Sequence, residues 1–199
     1  YLKLAQAGAA SFLLESVEGG EQVGRYSFLG VNPKGMIRIQ GSAVTLTRRG
    51  ATTSRALSPG EDPLHVIEHE FSRVRPVRLE GLPRFVGGAV GYLGYDVVRH
   101  FEHLPATAVD ELNLPDALFM LVDTLVIFDH AKHQLILLAN AHNTGDPDAA
   151  YDDAAARIDQ IMDALARPLP YLDEPEPYTL DAAQRSTVTR EPAGVEPAG

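Results

Sequence analysis

Residues 118–140 read LFMLVDTLVIFDHAKHQLILLAN: two strongly apolar runs, 118–129 and 135–140, joined by the polar segment 130–134. Apolar runs bounded by polar residues are the pattern of buried strands, and so short a connection suits a hairpin rather than a helical crossover. An antiparallel pair is therefore expected, buried on at least one face. The same reading extends outward. Residues 36–40 and 43–47 alternate apolar and polar, with Ile37, Ile39, Val44 and Leu46 as the apolar members and Gly41-Ser42 between the runs, which predicts a second hairpin. Residues 11–16 (SFLLES) and 25–31 (RYSFLGV) are two further strand-like runs across a polar connection containing Gly19 and Gly20. Residues 84–96 (RFVGGAVGYLGYD) read as a buried strand followed by a tight backbone feature, given the glycines at 87, 88, 91 and 94.

Helices are announced twice by the same chemistry. Asp62-Pro63 and Asp146-Pro147 each offer a capping carboxylate followed by proline at the first helical position. Leu64, Ile67, Phe71 and Val74 then recur at helical spacing until Pro76. Tyr151, Ala154, Ala155, Ile158, Ile161, Met162 and Leu165 do so until Pro168. Residues 1–10 look like the tail of a helix. Strands joined by hairpins, interleaved with helices, predict an α+β domain: largely antiparallel sheets with flanking helices, over residues 1–167. Six of the 14 prolines fall in the last 32 residues without apolar periodicity, so 168–199 reads as a linker or unfolded tail.

Composition narrows the chemistry. The 199 residues hold 27 Asp plus Glu against 17 Lys plus Arg, a net charge of −10 with the basic residues scattered, which disfavours nucleic acid as a partner. The absence of cysteine removes disulfides, thiolate nucleophiles and Cys-based metal sites. No apolar run approaches the roughly 18–20 residues of a membrane span, so the chain is expected to be soluble and cytoplasmic, with no membrane partner.

Isolated motifs are weak. His65 and His69 lie four apart with Glu68 between them, but HVIEH lacks the HExxH order that places a general base between two ligands. Gly88, Gly91 and Gly94 give GxxGxxG rather than a dinucleotide fingerprint, and close strand packing or positive φ explains them better. No GxSxG elbow, phosphate loop or paired-carboxylate constellation stands out, so no catalytic, cofactor-binding or metal-ligating residue is assigned.

One pair of segments carries more. Leu14-Glu15-Ser16 closes one strand, and Val23-Gly24-Arg25-Tyr26 opens the next. Facing each other, they could hold a zwitterionic amino acid: Arg25 or a backbone N–H on its carboxylate, Ser16 or Glu15 on its ammonium, Tyr26 and the leucines on its side chain. The plainer alternative is an Arg25–Glu15 ion pair with Tyr26 in the core.

At these residues the chain resembles the N-terminal domain of the anthranilate synthase large subunit, component I. Residues 11–33 (SFLLESVEGGEQVGRYSFLGVNP) resemble that family's effector-site segment, 83–105 (PRFVGGAVGYLGYDVVRHFEHLP) its Gly-rich strand, and 115–142 the paired strands that follow. The resemblance implies a lyase of tryptophan biosynthesis, converting chorismate and glutamine or ammonia to anthranilate and pyruvate, with feedback inhibition by L-tryptophan. It implies a glutamine amidotransferase subunit, component II, as partner. Ser16, Val23, Gly24, Arg25 and Tyr26 become effector-binding residues, with Glu15 and Leu14 as neighbours. Chorismate and Mg²⁺ would be bound by a C-terminal catalytic domain. Residues 186–190 (STVTR) resemble the lead-in to that domain, whereas 191–199 (EPAGVEPAG) cannot form its helix, so the chain is expected to stop short of it and to be inactive alone. The large subunit of aminodeoxychorismate synthase, which shares this domain, is the near alternative. A free-standing small-molecule-binding module is the alternative of another class.

Overall fold

Two antiparallel sheets are built from the nine strands of the described residues. A computed structural model describes residues 1–5, 9–15, 24–48, 50–72, 74–77, 79–105 and 109–169. The strands are β1 (Ser11–Leu14), β2 (Tyr26–Val31), β3 (Gly35–Gln40), β4 (Ala43–Arg48), β5 (Ala51–Ala56), β6 (Gly88–Leu93), β7 (Ala117–Val122), β8 (Thr124–Asp129) and β9 (Gln134–Ala139). One sheet runs β1-β2-β8-β9 and the other β5-β4-β3-β7-β6. Helix α1 (Pro63–Ser72) follows β5, a 3-10 helix (Tyr95–His100) follows β6, and α2 (Pro147–Ala166) follows β9. All lie in one compact unit, Tyr1–Pro168.

The layering follows from which residues each strand turns to which side. In β8, Leu125 and Ile127 join Val122, Leu138, Phe28 and Val90 between the sheets, whereas Val126 joins Leu29, Leu4 and Ile161 under α2. In β7, Leu121 and Ala117 pack with Ile37, Ile39 and Val44 beneath Val66 of α1. The order is thus helix, five-stranded sheet, four-stranded sheet, helix. Strands covered on both faces need apolar residues on both, which is why 118–129 and 135–140 read as continuous runs.

The two hairpins form as expected, Gln40 pairing with Ala43 and Asp129 with Gln134. Asp62 and Asp146 cap their helices: Asp62 Oδ1 accepts from the Leu64 and His65 amides at 2.8 and 3.0 Å, and Asp146 Oδ1 from the Ala149 amide at 3.0 Å.

Several expectations are corrected. The run 118–129 is two strands in different sheets, divided at Asp123. There the Asp123 carbonyl accepts the Asn140 amide at 2.8 Å, and its carboxylate lies 3.1 Å from Arg157 of α2. Strand 84–96 is an edge strand, paired only to β7, and its last three residues are exposed. The core face of α1 is centred on Pro63 and Val66, with Leu64 and Val74 outside it, both 45% exposed. On α2, Ala154 and Ile161 are buried while Tyr151 and Met162 face outward. The expected helix at the start is a single turn, the Tyr1 carbonyl accepting from Leu4 and Ala5 at 2.8 and 3.0 Å, with residues 6–8 outside the described residues. β5 has no apolar alternation to announce it in the sequence. Of the segment 168–199, residues 170–199 lie outside the described residues. Among those described, no helix is long and apolar enough to cross a membrane.

Candidate functional site

The end of the four-stranded sheet gathers the C-terminus of β1 and the N-terminus of β2. The ladder Ser11↔Val31 to Leu14↔Phe28 brings Leu14 and Glu15 alongside the start of β2, where Gly24, Arg25 and Tyr26 stand. Leu14 is 45% exposed and Glu15 is exposed, so this corner is open to solvent. Ser16 and Val23, the other two expected effector-binding residues, lie outside the described residues.

A third strand completes the corner, and residue pattern alone did not bring it there. β8 pairs with β2 so that Tyr26 lies opposite Asp129 and Ser27 opposite Phe128. Arg25 donates from Nε to Asp129 Oδ1 at 3.0 Å and from Nη2 to Oδ2 at 2.8 Å, a bidentate pair. The ion-pair partner of Arg25 is therefore Asp129 rather than Glu15. The Lys132 amide adds a third hydrogen bond, 3.1 Å to Oδ1, and the Asp129 residue is only 3% exposed. The Arg25 hydrogen bond, with help from the backbone amides of the following turn, holds the Asp129 carboxyl down at about 2, and Asp129 in turn raises the guanidinium. The Arg25 guanidinium carbon sits 4.8 Å from the centre of the Tyr26 ring, and that ring packs against the core between the sheets, 6.0 Å from Phe28. Beside them Ser27 Oγ lies 2.7 Å from His130 Nε2. At 4% exposure Ser27 is too enclosed to reach a substrate as a nucleophile, so the pair ties β2 to the β8–β9 turn.

Elsewhere the weaker motifs resolve into packing. A Cβ on Gly91 would fall 1.9 Å from the Leu118 carbonyl oxygen, and Gly88 has φ +140, so these glycines serve close strand approach and backbone shape. His65 Nδ1 faces Asp62 at 3.2 Å, within its own helix cap. Among the described residues no three His, Cys, Asp or Glu side chains converge as metal ligands. Asp123, Arg157 and His142 form a polar cluster where the sheets join. His142 Nε2 lies 3.3 Å from Asp123 Oδ2, and Arg157 donates to Thr124 Oγ1 at 2.6 Å and the Asn140 carbonyl at 2.8 Å.

Comparison with known proteins places this architecture. The chain is 36% identical over 159 residues to anthranilate synthase component 1 of Acetivibrio thermocellus, covering 80% of this chain and 32% of that protein. The Pseudomonas aeruginosa protein of the same name is 38% identical over 198 residues, covering 96% and 39%. That of Mycobacterium tuberculosis is 40% identical over 178 residues, covering 85% and 34%. The chain thus spans about a third of the length of the curated relatives it matches. The crystal structure of anthranilate synthase component I from Streptococcus pneumoniae TIGR4 superposes with a TM-score of 0.58 at 24% identity. It covers 85% of this chain and 34% of that one, a likeness of fold. The family model described as chorismate binding enzyme matches residues 10–191, nearly the whole chain, and the chain belongs to that family.

Proposed function

We propose that this chain is the N-terminal regulatory domain of an anthranilate synthase component I, and that the corner of β1, β2 and β8 binds the feedback inhibitor L-tryptophan. The observation that carries the reading is the meeting of Leu14 and Glu15 with Arg25 and Tyr26 at one open sheet end, with Arg25 already fixed by Asp129. A zwitterion with an aromatic side chain needs a cation for its carboxylate, an acceptor for its ammonium and apolar surface for its ring, and those residue types stand there together. The relatives' name and the family's chorismate binding support a chorismate-utilising anthranilate synthase; in this reading the reaction takes chorismate with glutamine or ammonia to anthranilate and pyruvate, a lyase step of tryptophan biosynthesis in the cytoplasm. A glutamine amidotransferase subunit supplies the ammonia.

The reacting groups lie outside this chain in this reading, and alone it is inactive. No described residue is assigned to chorismate or to the Mg²⁺ that binds with it, since no carboxylate or imidazole cluster fits the ion. Regulation then takes a plain form: L-tryptophan binds the less active arrangement of the whole enzyme more tightly, and the inhibition cannot exceed that difference in affinity. The test is Arg25→Ala and Ser16→Ala in an enzyme of full family length carrying this segment. Tryptophan inhibition is expected to weaken while uninhibited turnover is largely kept, and unchanged inhibition in both variants would refute the site.

A further inference from the structure

Strand β5 closes one side of the five-stranded sheet, and its outer edge carries open backbone groups. The Leu57 amide donates to the Ser42 carbonyl at 2.7 Å, in the register that pairs Ala43 with Ala56, so Leu57 faces β4. Alternation along an antiparallel ladder then turns the backbone groups of Ala51, Thr53 and Arg55 toward β4 and those of Thr52, Ser54 and Ala56 outward. The Ala56 carbonyl already accepts Arg55 Nη1 at 3.0 Å, whereas no hydrogen bond among the described residues uses the N–H or C=O of Thr52 or Ser54. Sheet edges are usually guarded by lysine, proline or a bulge. ATTSRA holds neither residue, and its ladder to β4 runs unbroken from Ala51 to Ala56. Its one charge, Arg55, is turned back onto Glu61 by two hydrogen bonds of 2.6 Å.

From this edge we infer that β5 pairs with β5 of a second copy of the chain, antiparallel about a two-fold axis at Thr53. Outward groups must meet outward groups, so the pairing can centre on Thr53, Ser54 or Arg55, each with a different partner set. Centring on Arg55 sets two guanidinium groups opposite one another, which repel. Centring on Ser54 calls on the Ala56 carbonyl, which Arg55 holds. Centring on Thr53 sets Thr52 against Ser54 of the second copy, satisfies the N–H and C=O of both residues in both copies, and places Arg55 opposite Ala51. It also joins the hydroxyl contacts within each chain, Thr47–Thr52 at 3.1 Å and Thr45–Ser54 at 3.2 Å, into one row across the axis. A single strand edge covers less than the roughly 1,200 Å² of a stable interface, so the dimer forms and parts with concentration.

The chain has no cysteine, so one introduced thiol reports the register. In a non-hydrogen-bonded antiparallel pair the Cα atoms lie about 4.5 Å apart, within disulfide reach. Thr53→Cys is therefore expected to cross-link under mild oxidation, and Ala51→Cys, whose counterpart lies roughly 13 Å away along the strand, at least about tenfold more slowly. Sedimentation of the whole 199-residue chain should show a dimer that grows between about 10 μM and 1 mM, with the Thr52 and Ser54 amides gaining protection from hydrogen exchange over the same range. Ser54→Pro removes an outward N–H and no ladder bond to β4, so it should abolish the dimer with the circular dichroism spectrum kept. If that variant does not fold, Ser54→Lys takes its place. A chain that stays monomeric throughout that range, equal cross-linking of the two cysteine variants, a dimer undiminished by the Ser54 substitution, or amide protection that does not change with concentration overturns the inference.

Discussion

Replacing Gly91 by alanine tests the closest approach in the five-stranded sheet. Gly91 pairs with Phe119, and a Cβ there would lie 1.9 Å from the Leu118 carbonyl oxygen and 2.7 Å from the Phe119 Cα. A normal C···O approach is about 3.3 Å, so the methyl group falls short by about 1.4 Å against backbone that has no rotamer to change. Strand β6 must move away by roughly that amount, which breaks two or three ladder hydrogen bonds at about 0.5–1.5 kcal/mol each and adds about 1–3 kcal/mol of overpacking. With partial relief by bending of the edge strand, the net cost is about 2–4 kcal/mol, a large part of the roughly 5–15 kcal/mol that holds a domain together. Gly41 makes the contrast. It turns the β3–β4 hairpin with φ +55, and a Cβ added there would meet nothing within 4 Å, so Gly41→Ala carries only the left-handed backbone penalty of about 1–2 kcal/mol. Urea unfolding followed by circular dichroism measures both. A Gly91→Ala variant within about 0.5 kcal/mol of the parent, or less affected than Gly41→Ala, would refute the strand approach and the sheet edge it defines.

Two further perturbations test the layers. Ile37 is fully enclosed beneath α1 with Ile39, Val44 and Val66, so Ile37→Ala should cost about 2–5 kcal/mol in the same urea assay; a loss under about 1 kcal/mol would show that α1 does not cover this face. Burial, with Lys34 and Arg157 nearby outweighing Asp123, pushes the His142 imidazole below its ordinary value of 6.5. The unfolded chain therefore takes up the proton first, so the contribution of His142 to stability is complete above pH 6.5 and is lost as the pH falls below it. His142→Gln should make the melting temperature less sensitive between about pH 7.5 and 5, and an unchanged slope would count against the lowered affinity of this half-buried imidazole for a proton.

The parts of the fold legible in the sequence are those whose cause is local. Gly41-Ser42 between alternating runs and Asp-Pro ahead of apolar periodicity each act within a few residues, and each element forms where they place it. β5 escaped because its stabilisation is not apolar: ATTSRA is exposed along its length, held by the ladder to β4 and by Thr47–Thr52 and Thr45–Ser54 hydroxyl contacts at 3.1 and 3.2 Å. The division at Asp123 escaped because one polar pair, Asp123-Thr124, is a small interruption in a run whose two strands are each covered on both faces. The site divides in the same way. Arg25 and Tyr26 stand out as a charged, aromatic opening to an apolar strand. Their partner Asp129, 104 residues from Arg25, becomes visible only once β2 and β8 are known to be neighbours.

That neighbourhood also governs how a ligand at this corner can act at a distance. β2 and β8 are the two central strands of the four-stranded sheet, and both run from the candidate site to the places where the chain crosses into the other sheet. β2 leads at its far end through Asn32, at φ +50, and Lys34, whose amide donates to the Leu121 carbonyl at 2.9 Å; β8 begins directly after Asp123. Six residues of strand span about 20 Å. Between the ends lie Leu29, Leu125, Val126 and Ile127, all at most 1% exposed, so the two strands are closely packed along their length. If the corner binds an effector as proposed, this packing favours movement of the two strands together over bending between their ends. At the Asp123 crossing, Arg157 and His142 approach the carboxylate from α2 and from the segment after β9. Coupling between the corner and any remote site is bounded by how differently the ligand binds the arrangements available to the whole protein.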